Sequence, residues 1–346
     1  MAVKVLVVDD SAFAQQVLSD LLNNDPDLEV VGVARDGSEA LEKINNLHPD
    51  VITLDVEMPE MNGMECLAKI METNPLPVIM VSYLTVIGAK QTIDALELGA
   101  VDFVTKPSKD IATLVNIQKE LVQKVKLAAT IKVSKLKKVV FKGQAFSDSF
   151  KPPRNLELLT IGSSTGGPRA LRHLLGMFPK NFPLGTVIAQ HMPKGFTKVF
   201  AGHLNDVCEI EVSEAKNGDQ VIPGRVLIAP SGKQITLHRT SNNNLTVEVG
   251  NQPDLIYKPS INHFLKSVAK VCSGRVLSVI LTGMGSDGAI SMQELRKMGA
   301  RTIVEAENSC VVFGMPRATI ELGGAEYVES LPHIYSRIVE VINEEK

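Results

Sequence analysis

Short, almost wholly apolar runs alternate with amphipathic stretches in the first part of this chain, and this alternation limits the fold more than any other feature. The apolar runs include VKVLVV, EVVGVA, VITL, PVIMV and VDFVT, and stretches such as SAFAQQVLSDLLNN and GMECLAKIMET stand between them. Apolar strands joined by helices of this kind form a parallel sheet that is covered on both faces. We therefore predict a (βα)5 domain of the α/β class over residues 1 to 125.

Length and composition indicate two packed domains. The chain has 346 residues, of which 44% are hydrophobic and 22% charged, so it can build two cores. The net charge of −3 argues against a nucleic-acid binder. No apolar run approaches the roughly 20 residues that span a bilayer, and MAVKVLVVDD is typical of a strand rather than a signal peptide. We expect no membrane insertion.

The four cysteines are scattered and form no CxxC pair. In a chain without a signal peptide they are expected to be reduced thiols, which favours a cytoplasmic location. Their positions are Cys66, Cys208, Cys272 and Cys310.

Acidic residues follow two of the apolar runs in the N-terminal domain. Asp9 and Asp10 end the first run, and Asp55 ends VITL, while Ser82 and Lys106 end two later runs. The carboxyl ends of parallel strands lie at one edge of a sheet, where ligands bind. Three carboxylates at this edge repel one another unless a cation lies between them, and their hard oxygens favour Mg²⁺. The alternative, that each acid merely caps a helix, explains one acid at a time and not the whole set.

This domain resembles the receiver domain of response regulators along its whole length, through VVDDS, LDVEMPEMNG, MVS and VTKP in the family's order. The resemblance implies that Asp55 is the phosphoacceptor. It implies further that Mg²⁺ is held by Asp9, Asp10, Asp55 and the backbone carbonyl of Glu57.

The resemblance also implies the residues that respond to the phosphoryl group. Ser82 and Lys106 would contact it, and Phe103 would occupy the aromatic switch position. Tyr83 departs from the family pattern, since many receivers have a small residue there, and it is expected to narrow access to Asp55.

A lysine-rich segment follows, and we predict an interdomain linker over residues 126 to 153. Its lysine cluster, Lys132 to Lys142, is typical of a solvated hinge or of a nucleic-acid patch. The terminal Pro152-Pro153 favours the hinge.

The remaining residues, 154 to 346, are predicted to form a doubly wound, mainly parallel, Rossmann-like α/β sheet. Ser164, His191 and Asp287 each follow a strand-like run, in LELLTIGSS, GTVIAQH and RVLSVILTGMGSD. Above one sheet these side chains form a hydrolytic triad, in which histidine takes the serine proton and aspartate orients the imidazole. The chain order and the missing GxSxG elbow exclude an ordinary α/β-hydrolase.

Other interpretations of these residues stay open on spacing alone. Ser164 and Asp287 are also typical of helix caps. The stretch GMGSDG matches the GxGxxG pattern of a dinucleotide site, and Glu305 stands about 20 residues further on. Against this, the motif lies near the chain end, and its aspartate is a poor neighbour for a pyrophosphate.

Residues 156 to 343 resemble the catalytic domain of chemotaxis protein-glutamate methylesterases, through IGSSTGGP, QHMPKGFT, LTGMGSDGA and EAENSCVVFGMPRATIELGGA. The resemblance implies Ser164 as nucleophile, His191 as base and Asp287 as its partner. It implies that the backbone amide of Met284 lies in the oxyanion hole and that Thr165, beside the nucleophile, helps to position the imidazole.

Two departures lie in the stretch YKPSINHFL. Lys258 and Asn262 stand where the family has arginine and aspartate. Lysine cannot form a bidentate arginine contact, so local ion pairing or specificity is expected to differ.

Together the two resemblances imply a phosphorylation-activated enzyme without a cofactor in its ester chemistry. The implied substrates are glutamate methyl esters on the cytoplasmic helices of chemoreceptors, with glutamine deamidation in some members. The implied phosphodonor is a chemotaxis histidine kinase, and the unphosphorylated receiver would block the catalytic strand ends. A non-enzymatic receiver-regulated adaptor and a nucleotide-binding oxidoreductase are the alternatives.

Overall fold

The structure is a computed structural model that describes residues 2–83, 86–106, 111–131, 150, 155–251 and 255–344. Of residues 86–87 and 111–116 it describes the backbone alone. The chain divides into two compact units, Met1–Val140 and Phe141–Lys346, which are described separately. Most of the predicted linker, including the lysine cluster, falls on residues 132–149 and 151–153, outside the described residues.

The first unit contains a five-stranded sheet in the order β2-β1-β3-β4-β5, and every pair of strands is parallel. Its strands are β1 (Val3–Val8), β2 (Leu28–Ala34), β3 (Val51–Asp55), β4 (Val78–Ser82) and β5 (Asp102–Thr105). Its helices are α1 (Ala12–Asn23), α2 (Gly37–Leu47), α3 (Gly63–Thr73), α4 (Val86–Leu98) and α5 (Ile111–Ala129).

The strand order reverses direction at β1, so that β1 and β3 enclose a topological switch point. Strands β3 and β4 are buried at every residue, as the almost wholly apolar runs predict. Crossover loops leave β1 and β3 on opposite sides and open a crevice at the carboxyl ends of these two strands. Asp9 and Asp55 lie at this crevice.

The second unit contains a seven-stranded parallel sheet in the order β14-β13-β12-β6-β7-β9-β8. Its strands are β6 (Leu158–Ser163), β7 (Gly185–Gln190), β8 (Glu211–Glu214), β9 (Arg225–Ile228), β12 (Val276–Ile280), β13 (Arg301–Glu305) and β14 (Tyr327–Glu329). Its helices are α6 (Gly167–Leu175), α7 (Phe196–Val207), α8 (Ile261–Cys272), α9 (Ala289–Lys297), α10 (Met315–Glu321) and α11 (Leu331–Asn343).

An antiparallel hairpin of β10 (Gln234–Arg239) and β11 (Leu245–Gly250) adds a second, smaller sheet that the sequence analysis did not predict. Leu237 and Val247 of this hairpin join Phe264 and Leu265 of α8 in one buried core. The hairpin therefore fixes α8 against the main sheet, and α8 begins beside the candidate triad. The predicted fold class of two α/β units with parallel sheets is confirmed.

None of the helices in the described ranges is both long and apolar enough to cross a membrane.

Candidate functional site

Three carboxylates meet at the switch point of the first unit. Asp9, Asp10 and Asp55 each offer one oxygen, and these oxygens all lie within 4.8 Å of one another. The ammonium of Lys106 lies 2.7 Å from Oδ2 of Asp9 and 2.7 Å from Oδ2 of Asp55. One buried ammonium cannot neutralise three carboxylates, so the cluster keeps a net negative charge.

The electrostatics of this cluster fit a divalent cation. Burial raises the pKa of Asp55 to about 6, the Asp9 charge adds to the rise, and Lys106 opposes it. The backbone N–H of Glu57 donates to Oδ1 of Asp55 over 3.4 Å, which puts the backbone of Glu57 beside this carboxylate. A hard dication with oxygen ligands restores the ionised form of such a cluster. The residues present therefore fit Mg²⁺.

Two of the three predicted switch residues lie at a cavity of about 210 Å³ beside the carboxylates. Ser82 and Lys106 line the cavity, and Tyr83 lines it as well with 57% of its surface exposed. The ammonium of Lys106 lies 4.9 Å from the centre of the Tyr83 ring. Phe103 is buried in β5, and Lys124 lies over its ring at 5.4 Å. Tyr83 thus stands at the mouth of the cavity beside the three carboxylates.

In the second unit the predicted triad follows three neighbouring strands. Ser164 follows β6, His191 follows β7, and Asp287 lies in the loop between β12 and α9. Because β12, β6 and β7 are adjacent in the sheet, their carboxyl ends bring the three residues to one edge. Ser163 is the last residue of β6, and its carbonyl accepts a hydrogen bond from the backbone N–H of His191.

Asp287 is held by four donors. Its Oδ2 accepts from His191 Nε2 over 3.0 Å and from the N–H of Ile261 over 2.7 Å. Its Oδ1 accepts from the hydroxyl of Ser260 over 3.1 Å and from the N–H of Asn262 over 2.9 Å.

The carboxylate of Asp287 therefore lies at the first turn of α8. The interpretation that it caps α9 is wrong, because the N-cap of that helix is Gly288, and the Asp287 carboxylate accepts from amides of α8 instead. Burial alone raises a carboxyl pKa, but hydrogen bonds from His191 and the α8 amides outweigh burial and lower the pKa of Asp287. Asp287 is therefore ionised at neutral pH and accepts hydrogen bonds only.

This assigns the proton of the neutral imidazole. Because Asp287 can only accept, the His191 nitrogen that bonds to it, Nε2, carries the hydrogen. Nδ1 of His191 is then the basic nitrogen, and it is buried with no hydrogen-bond partner among the described residues. The hydroxyl of Ser164 also forms no hydrogen bond with any described residue. The structure therefore pairs His191 with Asp287 but not with Ser164. Catalytic hydrogen bonds of this kind often tighten only when substrate binds.

Gly283 brings the predicted oxyanion donor, the N–H of Met284, next to the predicted nucleophile, Ser164. A side-chain carbon at Gly283 would lie 2.9 Å from Ser164 Cβ and 2.4 Å from Met315 Sδ, so only glycine fits there. The next residue is Met284, whose N–H bonds to no other described residue. Thr165 is buried, and its carbonyl accepts from the Thr282 hydroxyl over 3.0 Å.

Gln190 joins the serine and histidine loops and was missed by the sequence analysis. Its Oε1 accepts from the hydroxyl of Ser163 over 2.6 Å, and its Nε2 donates to the carbonyls of Ser164 and His191 over 3.0 and 2.9 Å. A polar residue that ends a buried apolar strand, directly before a candidate catalytic histidine, is the signal that could have identified it.

Glu305 has a role that excludes the ribose contact of a dinucleotide site. It is fully buried at the end of β13, its Oε2 accepts from Thr282 N over 2.8 Å, and its Oε1 accepts from Ser309 over 2.9 Å. The carboxylate therefore supports the loop that begins at Thr282 and carries Gly283 and Met284.

Of the two departures in YKPSINHFL, Asn262 contacts the triad through its N–H, which donates to Asp287. The carbonyl of Lys258 accepts from Gly232 N over 2.8 Å. Oδ1 of Asn262 accepts from Ser291 N over 3.1 Å, which ties α8 to α9. The amide oxygen of Asn262 thus accepts a hydrogen bond that an aspartate oxygen could also accept.

Known proteins resemble the chain over both units. Residues 159–338 match the family described as CheB methylesterase, and residues 5–118 match the response regulator receiver domain. The chain is 45% identical over 355 residues to the protein-glutamate methylesterase/protein-glutamine glutaminase of Syntrophotalea carbinolica, with 99% of each chain covered. The chain belongs to the CheB methylesterase family. The protein of the same name from Archaeoglobus fulgidus is 43% identical, with 97% of each chain covered.

A solved structure supports the second unit separately. The crystal structure of the Thermotoga maritima CheB methylesterase catalytic domain matches with 37% identity and a TM-score of 0.52. The match covers 54% of this chain and 98% of that one. The predictions of a receiver domain, of a methylesterase domain and of an enzyme of the carboxylic ester hydrolase class are confirmed, and the adaptor and nucleotide-binding alternatives are not favoured. A receiver domain of this kind takes Mg²⁺ for its phosphorylation and a kinase as phosphodonor.

Proposed function

We propose that this chain hydrolyses methyl esters of glutamate side chains on the cytoplasmic helices of chemoreceptors, and that phosphorylation of Asp55 raises the rate. The observation that carries the proposal is the His191–Asp287 pair at the ends of strands adjacent to the one that Ser164 follows. An anion held at a helix N-terminus, a histidine with a free basic nitrogen and an unbonded serine hydroxyl form a complete set for nucleophilic catalysis.

In the first half of the reaction, Oγ of Ser164 attacks the ester carbonyl while Nδ1 of His191 takes the hydroxyl proton. The imidazolium that forms is stabilised by Asp287 through Nε2. The N–H of Met284 donates to the developing oxyanion, a contact whose loss costs on the order of 100-fold in rate. Collapse of this intermediate expels methoxide, which takes the proton from Nδ1 and leaves as methanol.

In the second half, Nδ1 of His191 takes a proton from water, and the hydroxide attacks the glutamyl-serine ester. The carbon–oxygen bond to Ser164 breaks, the serine regains its proton from His191, and the receptor glutamate is released. A glutamine substrate follows the same path with ammonia as the first leaving group. Both substrates pass through the same glutamyl-serine ester, so the proposal includes glutaminase activity.

In the receiver, we propose that Asp9, Asp10, Asp55 and the Glu57 carbonyl hold Mg²⁺ and that Asp55 accepts the phosphoryl group. The cation supplies positive charge that offsets the carboxylates. Lys106, already 2.7 Å from Asp55 Oδ2, stays beside the acyl phosphate, and Ser82 at the cavity wall can donate to it. The phosphodonor proposed for this site is a chemotaxis histidine kinase, and Phe103 is the proposed aromatic switch.

The test is methanol release from methylated receptor membranes by the full-length chain, with and without a small phosphodonor and Mg²⁺. We expect release to disappear in Ser164→Ala and to persist in Ser241→Ala, which changes an exposed serine of the β10–β11 turn. We expect the phosphodonor to raise release by wild type and not by Asp55→Asn.

The outcomes separate the two parts of the proposal. Equal release by Ser164→Ala and wild type would exclude the serine mechanism. If methanol release is lost in Ser164→Ala but is unchanged by the phosphodonor, the esterase proposal stands and control by Asp55 is excluded.

A further inference from the structure

The aromatic ring of Tyr257 lies flat on the imidazole of His191. The ring centres are 4.4 Å apart, and the planes differ by 7°. Stacking at this separation brings the two π faces into van der Waals contact. The phenol ring therefore packs against one face of the imidazole, and the imidazole cannot tilt toward that side without displacing Tyr257.

The backbone of Tyr257 is anchored to the residues that hold Asp287. Gln234 is buried, its Nε2 donates to the Tyr257 carbonyl over 2.8 Å, and its Oε1 accepts from Ser260 N over 2.8 Å. Ser260 in turn donates its hydroxyl to Asp287. The stacking ring and the carboxylate that orients His191 are thus fixed by one continuous set of hydrogen bonds.

The hydroxyl end of Tyr257 reaches the loop of the proposed oxyanion donor. A side-chain carbon at Gly285 would lie 3.5 Å from this hydroxyl, and Gly285 directly follows Met284. Burial and the charge of Asp287 raise the pKa of Tyr257, so the phenol stays neutral. The ring therefore extends from the base to the Met284–Gly285 turn as a neutral, mostly apolar wall that is 38% exposed.

We propose that Tyr257 is a positioning residue that sets the plane of the His191 imidazole. The inference rests on the proposed function, since it assigns His191 as the base of the ester hydrolysis. In the proposed reaction, Nε2 must keep its hydrogen bond to Asp287 while Nδ1 points toward Ser164. Rotation of the imidazole about the Cβ–Cγ bond would disrupt both. The stacked ring opposes that rotation. Displacements of about 1 Å in such a group cost on the order of 100-fold in rate.

Two substitutions separate the stack from the hydroxyl. Tyr257→Phe keeps the ring, and Tyr257→Leu keeps an apolar side chain without a π face. We expect kcat for methanol release to stay within about threefold of wild type in the phenylalanine variant and to fall about 10- to 100-fold in the leucine variant, with KM changed less than kcat. Ile256→Ala is the matched control, because Ile256 is the neighbouring residue and is 95% exposed; its kcat should equal that of wild type.

A second measurement reports on the stack without any catalysis. The ring C–H protons of His191, identified in NMR spectra of the full chain by their loss in His191→Gln, should be shifted upfield by the ring current in wild type and in Tyr257→Phe. The shift should vanish in Tyr257→Leu.

Equal His191 shifts in all three proteins, or equal kcat for the leucine and phenylalanine variants, would overturn the inference. A loss in Tyr257→Leu confined to KM would also overturn it, since it would identify a substrate contact. No methanol release by wild type would instead refute the proposed function, and the NMR comparison would still decide whether Tyr257 fixes the imidazole.

Discussion

Replacing Asp287 by asparagine tests the charge that organises the candidate triad. Each carboxylate oxygen accepts from one backbone N–H, Oδ2 from Ile261 and Oδ1 from Asn262. An asparagine has one oxygen and one NH₂ group, so in either orientation one of these N–H donors faces another donor. His191 and Ser260 can adapt by exchanging a proton or rotating a hydroxyl, but a backbone amide cannot.

The substitution is expected to lower both the stability and the rate. One unsatisfied buried N–H costs about 1–3 kcal/mol of the free energy of unfolding. In both orientations the imidazolium loses its anionic partner, and in one of them His191 also shifts its proton to Nδ1 and ceases to be a base. We expect kcat for methanol release to fall by about 10²- to 10⁴-fold, the upper figure being that of a triad left in the wrong tautomer.

The stability effect has a definite pH dependence. The folded-state pKa of Asp287 lies below its ordinary value of 3.8, so its stabilisation is fully present above that value and is lost as pH falls through the folded pKa. The difference in unfolding free energy between wild type and Asp287→Asn should therefore be constant near pH 7 and shrink below about pH 4.

Thermal unfolding across pH and methanol release at pH 7 measure the two effects of this substitution. Asp206→Asn, which changes an exposed aspartate, is the matched control. A folded Asp287→Asn variant with kcat within tenfold of wild type would refute the assignment of Asp287 as the partner of His191.

Three further predictions concern single side chains. Because burial raises the pKa of Asp55 to about 6, the ionised carboxylate destabilises the folded receiver above that pH. Thermal unfolding of Asp55→Asn should therefore show an unfolding free energy higher than that of wild type by up to about 3 kcal/mol at pH 8. This increase should be absent near pH 4 and smaller in the presence of Mg²⁺. Asp10→Asn should weaken Mg²⁺ binding at least about tenfold in calorimetric titrations, since it removes one of three clustered carboxylates. Asn262→Asp should keep kcat within about threefold, because an aspartate oxygen can still accept from Ser291 N; a larger loss would show that the amide itself matters.

The positions of the principal side chains could be predicted because polar residues that end buried apolar runs mark the carboxyl ends of parallel strands. Asp9 and Asp55 were found in this way, and so were Ser164 and His191. The need of a catalytic histidine for an orienting carboxylate then predicted the pairing of His191 with Asp287, which are 96 positions apart in the chain. The sequence pattern was therefore sufficient to predict the position of a side chain wherever that side chain directly follows a buried strand.

The support of the site could not be predicted, because it depends on contacts between elements that no local pattern links. The carboxylate of Asp287 accepts from amides of α8, although α9 is the helix next to it in sequence. Tyr257 is brought onto His191 by a loop that Gln234 of β10 holds. Glu305 had the spacing of a ribose ligand, but its burial against Thr282 gives it a structural role.

The two sites lie at equivalent places in their sheets, but the fold raises the pKa of the central carboxyl group in one and lowers it in the other. Each lies at a topological switch point, between β1 and β3 in the receiver and between β12 and β6 in the esterase. In the receiver, burial and a neighbouring carboxylate raise the pKa of Asp55, so the site is built to gain positive charge from outside. In the esterase, the amides of α8 and His191 lower the pKa of Asp287, so its negative charge is stabilised by the fold itself. A bound cation can therefore change the charge balance of the receiver site, whereas Asp287 stays ionised at neutral pH without any ligand.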